Sequence, residues 1–328
     1  MASVSVIIPT WNRAELIHSV LRNLAEQTRR PDQILVVDNG STDDTAALAE
    51  RLGAELIRFP ENRGFAPAIN AGIQRARGNW VLILNNDVSL QPDWLEVLLA
   101  TAEREGAAFA SGKLLQTRQG THLDGTWDLL SRGAHAWRCG YGRPDGEPWS
   151  TRRKICFAPM TAALFRRNLF DAVGLLDTRF EAYYEDVDFG VRCALAGFGG
   201  IYDPKAVATH MGKGTLGKNS ARVLYLTARN QIFLLAKHYP ARTLWRFAWP
   251  ILVGQTLSLV GAARQGQLWP ALRGTLEGIR RWRSIRGIAV PLAVEQTLFE
   301  SEREIHSLQR ELGFDPYWRV YFSLVRSG

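Results

Sequence analysis

Two clusters of acidic and amide side chains are the first candidates for chemistry in this sequence. Residues 85–87 are Asn, Asn and Asp, directly after an apolar run. Their oxygen atoms are hard ligands of the kind that Mg²⁺ or Mn²⁺ accepts. Residues 185–188 (Glu-Asp-Val-Asp) hold three acids, whose mutual repulsion raises at least one pKa and favours a proton acceptor near neutral pH. The same acids would also suit a helix N-terminus, where carboxylates merely offset the helix dipole.

The elements that must position these residues alternate along the first third of the chain. Short apolar runs are typical of buried strands, and apolar positions at helical spacing predict amphipathic helices between them. This alternation predicts an α/β fold with a mainly parallel sheet and helices on both faces. The predicted strands cover residues 4–8, 34–37, 55–59 and 80–84, and the predicted helices include residues 66–75 and 93–105.

Polar residues follow three of these strands at the point where each ends. They are residues 9–13 (Pro-Thr-Trp-Asn-Arg), 38–41 (Asp-Asn-Gly-Ser) and 85–87. In open α/β sheets, ligands bind beyond the carboxyl ends of the strands. Each cluster alone is more simply a turn or a helix cap. Three clusters at successive strand ends predict one ligand-binding crevice.

The first strand is not followed by a glycine-rich phosphate loop. No G-x-G-x-x-G follows the first strand, and no G-x-x-x-x-G-K-[ST] occurs anywhere. A bound diphosphate would therefore need another source of positive charge, most simply a divalent cation.

The composition excludes several classes of protein. Apolar residues make up 46% and charged residues 22%, which is typical of globular proteins and not of disordered or fibrous ones. The three cysteines have no metal-ligand spacing and do not suggest a disulfide framework. We see no signal peptide at the start, and we expect a reducing, cytoplasmic location.

Five stretches of the sequence resemble the inverting nucleotide-sugar glycosyltransferases of family 2, which have the Rossmann-like GT-A fold. Their order and spacing fit, and the resemblance covers roughly residues 3–240. The overall pattern is also similar to the rhamnosyltransferases of that family. The matching stretches are residues 5–13 (SVIIPTWNR), 36–43 (VVDNGSTD), 62–66 (NRGFA), 84–88 (LNNDV) and 184–189 (YEDVDF).

The resemblance implies a role for individual residues. Asp186 is implied to be the base that takes the proton of the acceptor hydroxyl, with Glu185 beside it. Asp87, His210 and Asn85 are implied to hold Mg²⁺ or Mn²⁺. The residues implied to bind the donor are Pro9, Thr10, Asn12, Arg13, Asp38, Asn39, Ser41, Gly64, Phe65, Asn70, Asn85 and Asn86, of which Asp38 contacts the pyrimidine base.

Some of these residues have a second interpretation. Asn85 stands where the better-known family motif has Asp, and an amide binds a metal less strongly, so Asp87 is expected to carry most of the metal contact. A lone histidine such as His210 is more often structural. Asn70 would also suit the solvent face of a helix.

The acceptor side is less defined. Residues 112–155 are irregular and rich in Trp, Gly and Arg, which suits either sugar binding or loop packing. Lys213 or Lys218 would neutralise a leaving phosphate from a glycine-containing loop. Asp188 is expected to pair with Arg192, four residues further along the same helix.

The positive charge lies entirely in the last third of the chain. The net charge is +8, but residues 1–220 hold 25 basic and 25 acidic residues, whereas residues 221–328 hold 15 and 7. Within residues 221–294 there are 11 basic residues and one acid. We therefore predict a catalytic domain at 1–220, with a nucleotide-binding half at about 1–111 and an acceptor half at about 112–220, followed by a basic helical region.

Tryptophan and arginine interleave with aliphatic residues in this basic region, which predicts helices at an anionic membrane surface. The charge-free segment 247–263 would reach only about 26 Å as a helix, against a hydrocarbon core of ~30 Å. The same helices would also serve as a packed subdomain or a homodimer interface. Nucleic acid is disfavoured, because it would need a more polar surface.

The sequence thus predicts a cytoplasmic glycosyltransferase that is peripheral at the inner face of the plasma membrane. It would transfer a sugar from a UDP- or dTDP-sugar to a hydroxyl of a lipid-linked or cell-envelope glycan. The alternatives are a soluble or protein acceptor, or a noncatalytic scaffold that binds sugar nucleotides or glycans. The joint presence of Asp38, Asp87, Asp186 and His210 argues against a scaffold.

Overall fold

The computed structural model describes residues 2–117, 120–212, 220–287 and 291–326. The chain forms two compact units, Met1–Trp127 with Arg138–Thr215, and Asp128–Trp137 with Leu216–Gly328. The sequence placed residues 128–137 in the acceptor half of the catalytic domain, whereas the structure groups this segment with the C-terminal unit.

The elements follow one another in the order of the chain. The strands are β1 (Val4–Thr10), β2 (Gln33–Asp38), β3 (Glu55–Arg58), β4 (Trp80–Leu84), β5 (Val88–Leu90), β6 (Phe109–Gln116), β7 (Leu123–Gly125), β8 (Asp128–Leu130), β9 (Ala136–Arg138), β10 (Arg153–Ile155), β11 (Ala162–Arg166) and β12 (Gly200–His210). The helices are α1 (Ala14–Ala25), α2 (Thr45–Arg51), α3 (Phe65–Arg75), α4 (Trp94–Arg104), α5 (Arg167–Val173), α6 (Glu185–Leu195), α7 (Ala221–His238), α8 (Ala241–Arg246), α9 (Ala248–Arg264), α10 (Leu268–Arg280), α11 (Trp282–Ile285), α12 (Pro291–Leu312) and α13 (Pro316–Leu324), with a 3₁₀ turn at Thr178–Phe180.

A mixed sheet forms the centre of the first unit. Its strand order is β10-β12-β6-β11-β4-β1-β2-β3, with β5 beside β12 and β7 beside β6. β1 is parallel to both β2 and β4, and β3 is parallel to β2. β11 is antiparallel to β4 and β6, while β6 and β12 are parallel again. The predicted α/β class is confirmed, with four adjacent parallel strands, β1 to β4, at one side of the sheet.

Helices cover both faces of this sheet, because successive side chains of a strand point to opposite sides. Val4, Val6 and Ile8 of β1 are buried in one core with the apolar faces of α1 and α4. Ile7 points to the other face, where α3 packs so closely that a Cβ on Gly72 would lie 2.4 Å from its Cγ2. The two layers fix the strands whose carboxyl ends carry the predicted site residues.

The predicted helices at 66–75 and 93–105 are confirmed as α3 and α4. The sequence before His210 contains two separate strand-like stretches, residues 200–203 and 207–209. They belong instead to one strand, β12, whose register on β6 shifts between Asp203 and Val207. A bulge therefore lets one long strand carry His210 to the site.

A buried ion pair anchors the β8–β9 hairpin in the second unit. Arg132 donates from its backbone N and its Nε to the carboxylate of Glu302 on α12, at 2.8 and 2.7 Å. The Tyr321 hydroxyl donates to the same carboxylate at 2.8 Å, and the Leu130 N–H donates to Ser301 Oγ at 2.7 Å. Removing one partner of such a pair costs about 3–5 kcal/mol. Arg132 came from the region considered for acceptor binding, and here it stabilises the hairpin.

Helix α12 of the second unit packs against strand β8 and against α8 and α13. Its residues Val294, Leu298, Ile305 and Leu308 are buried within this chain. At helical spacing these residues form, together with Leu312, one apolar stripe, which from the sequence suits a docking or dimer helix. The structure already buries its first four members within this chain and half-buries Leu312. In the described part of the chain, no helix combines the length and the apolar character needed to cross a membrane.

His135 makes the stability of the second unit depend on pH. Its ring stacks on Tyr317, with the ring centroids 4.1 Å apart, and burial lowers its pKa from 6.5 to about 4. Between these values the unfolded chain binds a proton that the folded chain does not, so acid favours unfolding. We predict that this histidine lowers the free energy of unfolding by about 2 kcal/mol as the pH drops from 6.5 to 4. The full shift would imply a larger loss, but the residue is only half-buried.

Urea denaturation at a series of pH values measures this loss, and His135→Phe is the matched variant. Phenylalanine can still stack on Tyr317 but does not titrate. The variant should therefore show a shallower dependence of unfolding free energy on pH, whatever its stability at neutral pH. Identical slopes for the two proteins would contradict the assignment.

Candidate active site

The carboxyl ends of β1 and β2 lie side by side, with Thr10 opposite Asp38 and the half-buried Pro9 just before it. Asp38 is fully buried, and its Oδ1 accepts a hydrogen bond from the Ser41 N–H at 2.9 Å. Its Oδ2 lies 3.4 Å from Nε of Arg58 in an ion pair, and no group among the described residues hydrogen-bonds to it. This oxygen therefore has an ion-pair partner but accepts no hydrogen bond from the described residues.

Asn12 ties together the loops that follow β1 and β2. Its backbone N–H donates to Ser41 Oγ at 2.8 Å, and its Oδ1 accepts from the Thr42 N–H at 2.8 Å. Asn12 has a φ of 51°, a left-handed conformation in which asparagine is enriched. The exposed Arg13 is held through its backbone N–H, which donates to Thr45 Oγ1 at 3.0 Å. These predicted donor residues first of all fix the two loops.

Asn39 fixes the loop in front of α3. Its Nδ2 donates to the carbonyl oxygen of Gly64 at 3.0 Å, and its Oδ1 accepts from the Arg63 N–H at 2.8 Å. Gly64 has a φ of 92°, and a Cβ there would lie 3.1 Å from the carbonyl oxygen of Glu181. Glycine is the residue that tolerates both the angle and the close approach.

The start of α3 and Asn70 hold the segment that leads toward α6. The Phe65 N–H donates to the Glu181 carbonyl at 3.0 Å. The Asn70 amide donates to the Leu176 carbonyl at 2.8 Å and accepts from the Leu176 N–H at 2.9 Å. These groups therefore position residues 176–181. The donor contacts expected of Phe65 and Asn70 stay predictions.

Residues Asn85, Asn86 and Asp87 follow β4, the strand next to β1. Asn86 Nδ2 donates to Thr10 Oγ1 at 2.9 Å, which joins this cluster to the end of β1. Asn85 is half-buried. Asp87 is buried, with its Oδ1 3.1 Å from His210 Nε2 and its Oδ2 without a hydrogen bond from any described residue. The register and this hydrogen bond bring the three predicted clusters together.

His210 lies between two carboxylates at the end of β12. Its Nε2 is 3.1 Å from Asp87 Oδ1, and its Nδ1 is 2.7 Å from Asp124 Oδ2. Burial lowers the pKa of this histidine, but the hydrogen bonds to Asp124 and Asp87 and their charges outweigh it and raise the pKa to about 9. Asp124 was missed in the sequence, because the three-residue strand β7 lies in an irregular stretch with no periodicity to mark it.

The donor atoms of Asp87 and His210 fit a divalent cation. Asp87 Oδ2 is a buried carboxylate oxygen without a hydrogen bond among the described residues, which is costly unless a proton or a cation is close. Carboxylate and imidazole are both ligands that Mn²⁺ accepts. Across the described ranges no three His, Cys, Asp or Glu side chains converge as a metal cluster. A cation here would have few protein ligands, as Mg²⁺ often has when phosphate and water supply the others.

The acidic run at residues 185–188 forms the first turn of α6. Glu185 is buried, and its Oε2 has no hydrogen bond within the described structure. Burial, followed by the charge of Asp186, raises the pKa of Glu185 well above its usual value and favours the protonated form. Asp186 Oδ1 accepts from the Val187 N–H at 2.9 Å, and its Oδ2 lies 3.8 Å from Nη2 of Arg138.

The start of α6 is held in a strained backbone. Glu181, Tyr183 and Tyr184 have φ values of 63°, 68° and 69°. Such conformations cost roughly 1–3 kcal/mol each outside glycine and persist where the surroundings impose them. Inside the helix, Asp188 is buried and pairs with Arg192 at 3.1 Å, which confirms the predicted contact. Contacts before and within α6 thus fix its first turn.

Strand β7 links the histidine to the acidic run. Asp124 contacts His210, and the next residue, Gly125, makes room for Arg138, because a Cβ there would lie 2.5 Å from the Arg138 Cδ. Arg138 in turn reaches toward Asp186. Two adjacent residues of one short strand therefore position a predicted metal ligand, His210, and an arginine beside the predicted base.

The N-terminal part of the sequence matches a known family model. Residues 5–174, more than half of the chain, match the model described as Glycosyl transferase family 2. The chain belongs to this family. The resemblance of the five sequence motifs is confirmed, and the protein is a glycosyltransferase.

Two relatives of this glycosyltransferase come from mycobacteria. One is the N-acetylglucosaminyl-diphospho-decaprenol L-rhamnosyltransferase of Mycobacterium tuberculosis, 29% identical over 262 residues, which cover 71% of this chain and 84% of the relative. The other is a PGL/p-HBAD biosynthesis glycosyltransferase of Mycobacterium bovis, 30% identical over 196 residues, which cover 58% of this chain and 68% of the relative.

The fold is similar to that of a solved glycosyltransferase. The crystal structure of GalNAc-T7 with UDP, GalNAc and Mn²⁺ aligns with a TM-score of 0.65 over 96% of this chain and 59% of the other, at 13% sequence identity. At that identity the likeness establishes the fold alone. It supports the GT-A architecture expected from the motifs.

The sequence left open whether the tryptophans of residues 112–155 bind a sugar or pack a loop, and it predicted that Lys213 or Lys218 neutralises a phosphate. Trp127 and Trp149 are fully buried, with their ring centroids 5.5 Å apart, so they pack the interior and do not face a sugar. Lys213 and Lys218 lie outside the described residues.

The geometry of β7 predicts a role for Asp124 that can be measured. Asp124→Asn keeps the size of the side chain but removes the charge that orients His210. We predict 10- to 100-fold weaker binding of the donor nucleotide in the presence of Mn²⁺, because outer carboxylates commonly contribute about that much to metal affinity. Calorimetric titration with Mn²⁺ and with a chelator measures it.

Asp171→Asn is the matched control, because it changes the net charge equally at an exposed position on α5. Its affinity should equal that of the unaltered protein. Equal Mn²⁺-dependent affinity in Asp124→Asn would mean that the carboxylate does not orient His210 for binding.

Proposed function

We propose that this glycosyltransferase transfers a sugar from a UDP- or dTDP-sugar to a hydroxyl of a lipid-linked cell-envelope glycan, with inversion at the anomeric carbon. The observation that carries the proposal is a set of three buried carboxylate oxygens in the first unit. Asp38 Oδ2, Asp87 Oδ2 and Glu185 Oε2 have no hydrogen-bond partner among the described residues. Burying such an atom costs free energy unless a hydrogen-bond donor or a cation of a ligand contacts it. Each suits a different part of a nucleotide-sugar reaction.

Asp38 is assigned to the base of the donor. Its Oδ1 is held by the Ser41 N–H, so the carboxylate has a fixed orientation and Oδ2 is left to accept. Uracil and thymine both present an imide N–H, which a carboxylate oxygen would accept. The same residue therefore serves a UDP-sugar or a dTDP-sugar.

Asp87 and His210 are assigned to a divalent cation, with Asn85 as a weaker ligand. When bound, Mg²⁺ or Mn²⁺ would neutralise the charge that develops on the departing diphosphate. Asp124 would keep the imidazole oriented through its contact with Nδ1. The support for this assignment is the unpartnered Asp87 oxygen, together with the Mn²⁺ in the similar GalNAc-T7 structure.

Asp186 is assigned as the general base. Its carboxylate takes the proton of the acceptor hydroxyl while that oxygen bonds to the anomeric carbon. The bond from this carbon to the diphosphate oxygen breaks on the opposite side, and the electron pair leaves with the diphosphate. Glu185 favours its protonated form, so it would donate a hydrogen bond and would not take the proton.

The acceptor class is inferred from the relatives. The Mycobacterium tuberculosis relative is named for N-acetylglucosaminyl-diphospho-decaprenol, a sugar linked through a diphosphate to a lipid, and the Mycobacterium bovis relative is named for PGL/p-HBAD biosynthesis. We assign a lipid-linked acceptor to this chain by analogy. We accordingly place the enzyme at the cytoplasmic face of the plasma membrane, as a peripheral protein.

Two isosteric variants separate the roles of the adjacent acids. Asp186→Asn should lower the transfer rate by about 10² to 10⁴, the usual contribution of a general base, while donor binding is retained. Glu185→Gln should lower it much less, because glutamine keeps a hydrogen-bond donor at that position. Rates of sugar transfer and donor affinity, measured for both variants, test this.

The opposite order of the two effects would make Glu185 the base. Near-normal transfer by Asp186→Asn would remove Asp186 from the chemistry altogether.

The assignment of Asp38 predicts the class of donor. Thermal unfolding with UDP-, dTDP- and GDP-sugars, with and without Mn²⁺, should show stabilisation by one of the pyrimidine donors, because a ligand of the native state raises its stability. Asp38→Asn should remove that stabilisation. A shift with GDP-sugar alone would contradict the assignment, and no shift with any donor would contradict the proposed function.

A further inference from the structure

Helix α10 buries its smallest residues and exposes its largest ones. A Cβ on Gly274 would lie 2.2 Å from the Tyr225 carbonyl oxygen of α7, and a Cβ on Gly278 would lie 2.6 Å from the Ile232 Cβ. The helix therefore packs on α7 as closely as glycine permits. The large apolar residues that it exposes are Leu268, Trp269, Leu276 and Ile279, at 41%, 67%, 52% and 56% of their surface. A surface helix of a soluble domain normally has the opposite arrangement.

Helices α8 and α9 expose a second set of apolar residues. Positions 249, 252, 256, 260 and 263 recur at helical spacing along one face of α9, and all are exposed. The large apolar residues among them are Trp249, Leu252 and Val260. In α8, Trp245 is 83% exposed. Because α9 packs against both α8 and α10, these residues lie on neighbouring helices of the second unit.

The charge among these residues is almost wholly positive. Residues 221–294 contain 11 basic residues, against Glu277 as the one acid. The exposed arginines on or beside the three helices include Arg242, Arg246, Arg264, Arg273, Arg280 and Arg283. We call these arginines, together with the exposed Trp, Leu, Ile and Val residues of α8, α9 and α10, the Trp–Arg face.

We propose that the Trp–Arg face binds the surface of an anionic phospholipid bilayer. Tryptophan and aliphatic side chains would enter the boundary between headgroups and acyl chains, while the arginines meet lipid phosphates. The inference rests on the proposed lipid-linked acceptor for its biological purpose. Bilayer binding itself requires neither a sugar donor nor sugar transfer. An experiment can therefore contradict the membrane proposal without contradicting the proposed function, and the reverse.

Charge favours a bilayer over the other occupants. In a symmetric dimer a patch meets its own copy, so arginines would face arginines across the contact. A single-stranded nucleic acid would stack on the tryptophans but would leave the exposed leucine and isoleucine side chains in a polar groove. An anionic bilayer satisfies the apolar and the cationic residues together.

The test is sedimentation of the full chain with vesicles. Vesicles of phosphatidylcholine containing about one third phosphatidylglycerol should bind the protein at moderate salt, and vesicles of phosphatidylcholine alone should bind it much more weakly. High salt should release part of the bound protein, because screening weakens the arginine contribution but not the apolar one.

Paired variants identify the residues that bind. Arg273→Gln with Arg280→Gln should weaken binding to the anionic vesicles about 30-fold, since each basic residue near such a surface contributes about fivefold. Leu276→Ser with Ile279→Ser should weaken it by at least a similar factor. The matched control is Arg30→Gln with Arg51→Gln, two exposed arginines of the first unit.

The control pair should bind like the unaltered protein, and all variants should keep its circular dichroism and melting temperature. Absence of binding to anionic vesicles, or equal loss in the control pair, would overturn the proposal. So would a dimer in light scattering, without vesicles, that the Leu276→Ser, Ile279→Ser variant converts to a monomer. Vesicle binding without sugar transfer would support this inference and count against the proposed function.

Discussion

The burial of carboxylates at the carboxyl edge of a parallel sheet is the constraint on which the rest of the site depends. A buried acid is tolerated only beside a proton, a cation or a hydrogen-bond donor. The structure meets this requirement in three ways: Glu185 favours its protonated form, Asp87 lies against the imidazole of His210, and Asp38 faces the guanidinium of Arg58. Each arrangement leaves one oxygen without a hydrogen bond among the described residues, and the proposed function assigns a ligand or a catalytic role to each.

These acids are held by elements that are small and irregular. The sheet supplies Thr10 and Asp38 through an ordinary register, but the histidine and the arginine of the site depend on β7, a strand of three residues. The backbone before α6 is strained, and it is held by the first turn of α3 and by Asn70. The regular part of the fold therefore provides the crevice. Side chain to backbone contacts over long sequence distances set its chemistry.

This division explains how far the sequence alone could lead. The parallel strands, the helices between them and the clusters at the strand ends were predictable, because apolar periodicity and turn residues are local signals. The contact of Asp124 with His210 and that of Arg138 with Asp186 were not predictable, because no local sequence pattern indicates either contact. The same holds for Arg132, whose partner Glu302 lies 170 residues further along the chain. The Trp and Arg content of the last third was visible, but only the packing of Gly274 on α7 shows which side of α10 is exposed.

The β8–β9 hairpin also determines where this protein can be divided. Its ten residues, Asp128–Trp137, belong to the C-terminal unit although the chain on either side of them belongs to the catalytic unit. A catalytic fragment ending near residue 220 would keep Arg132 and lose Glu302, so it would retain a hairpin whose buried cation has lost its counter-ion. A C-terminal fragment would lack the hairpin altogether. The two units are thus distinct in packing but not separable by a single cut, and a permuted or co-expressed chain would have to carry the hairpin with the helices.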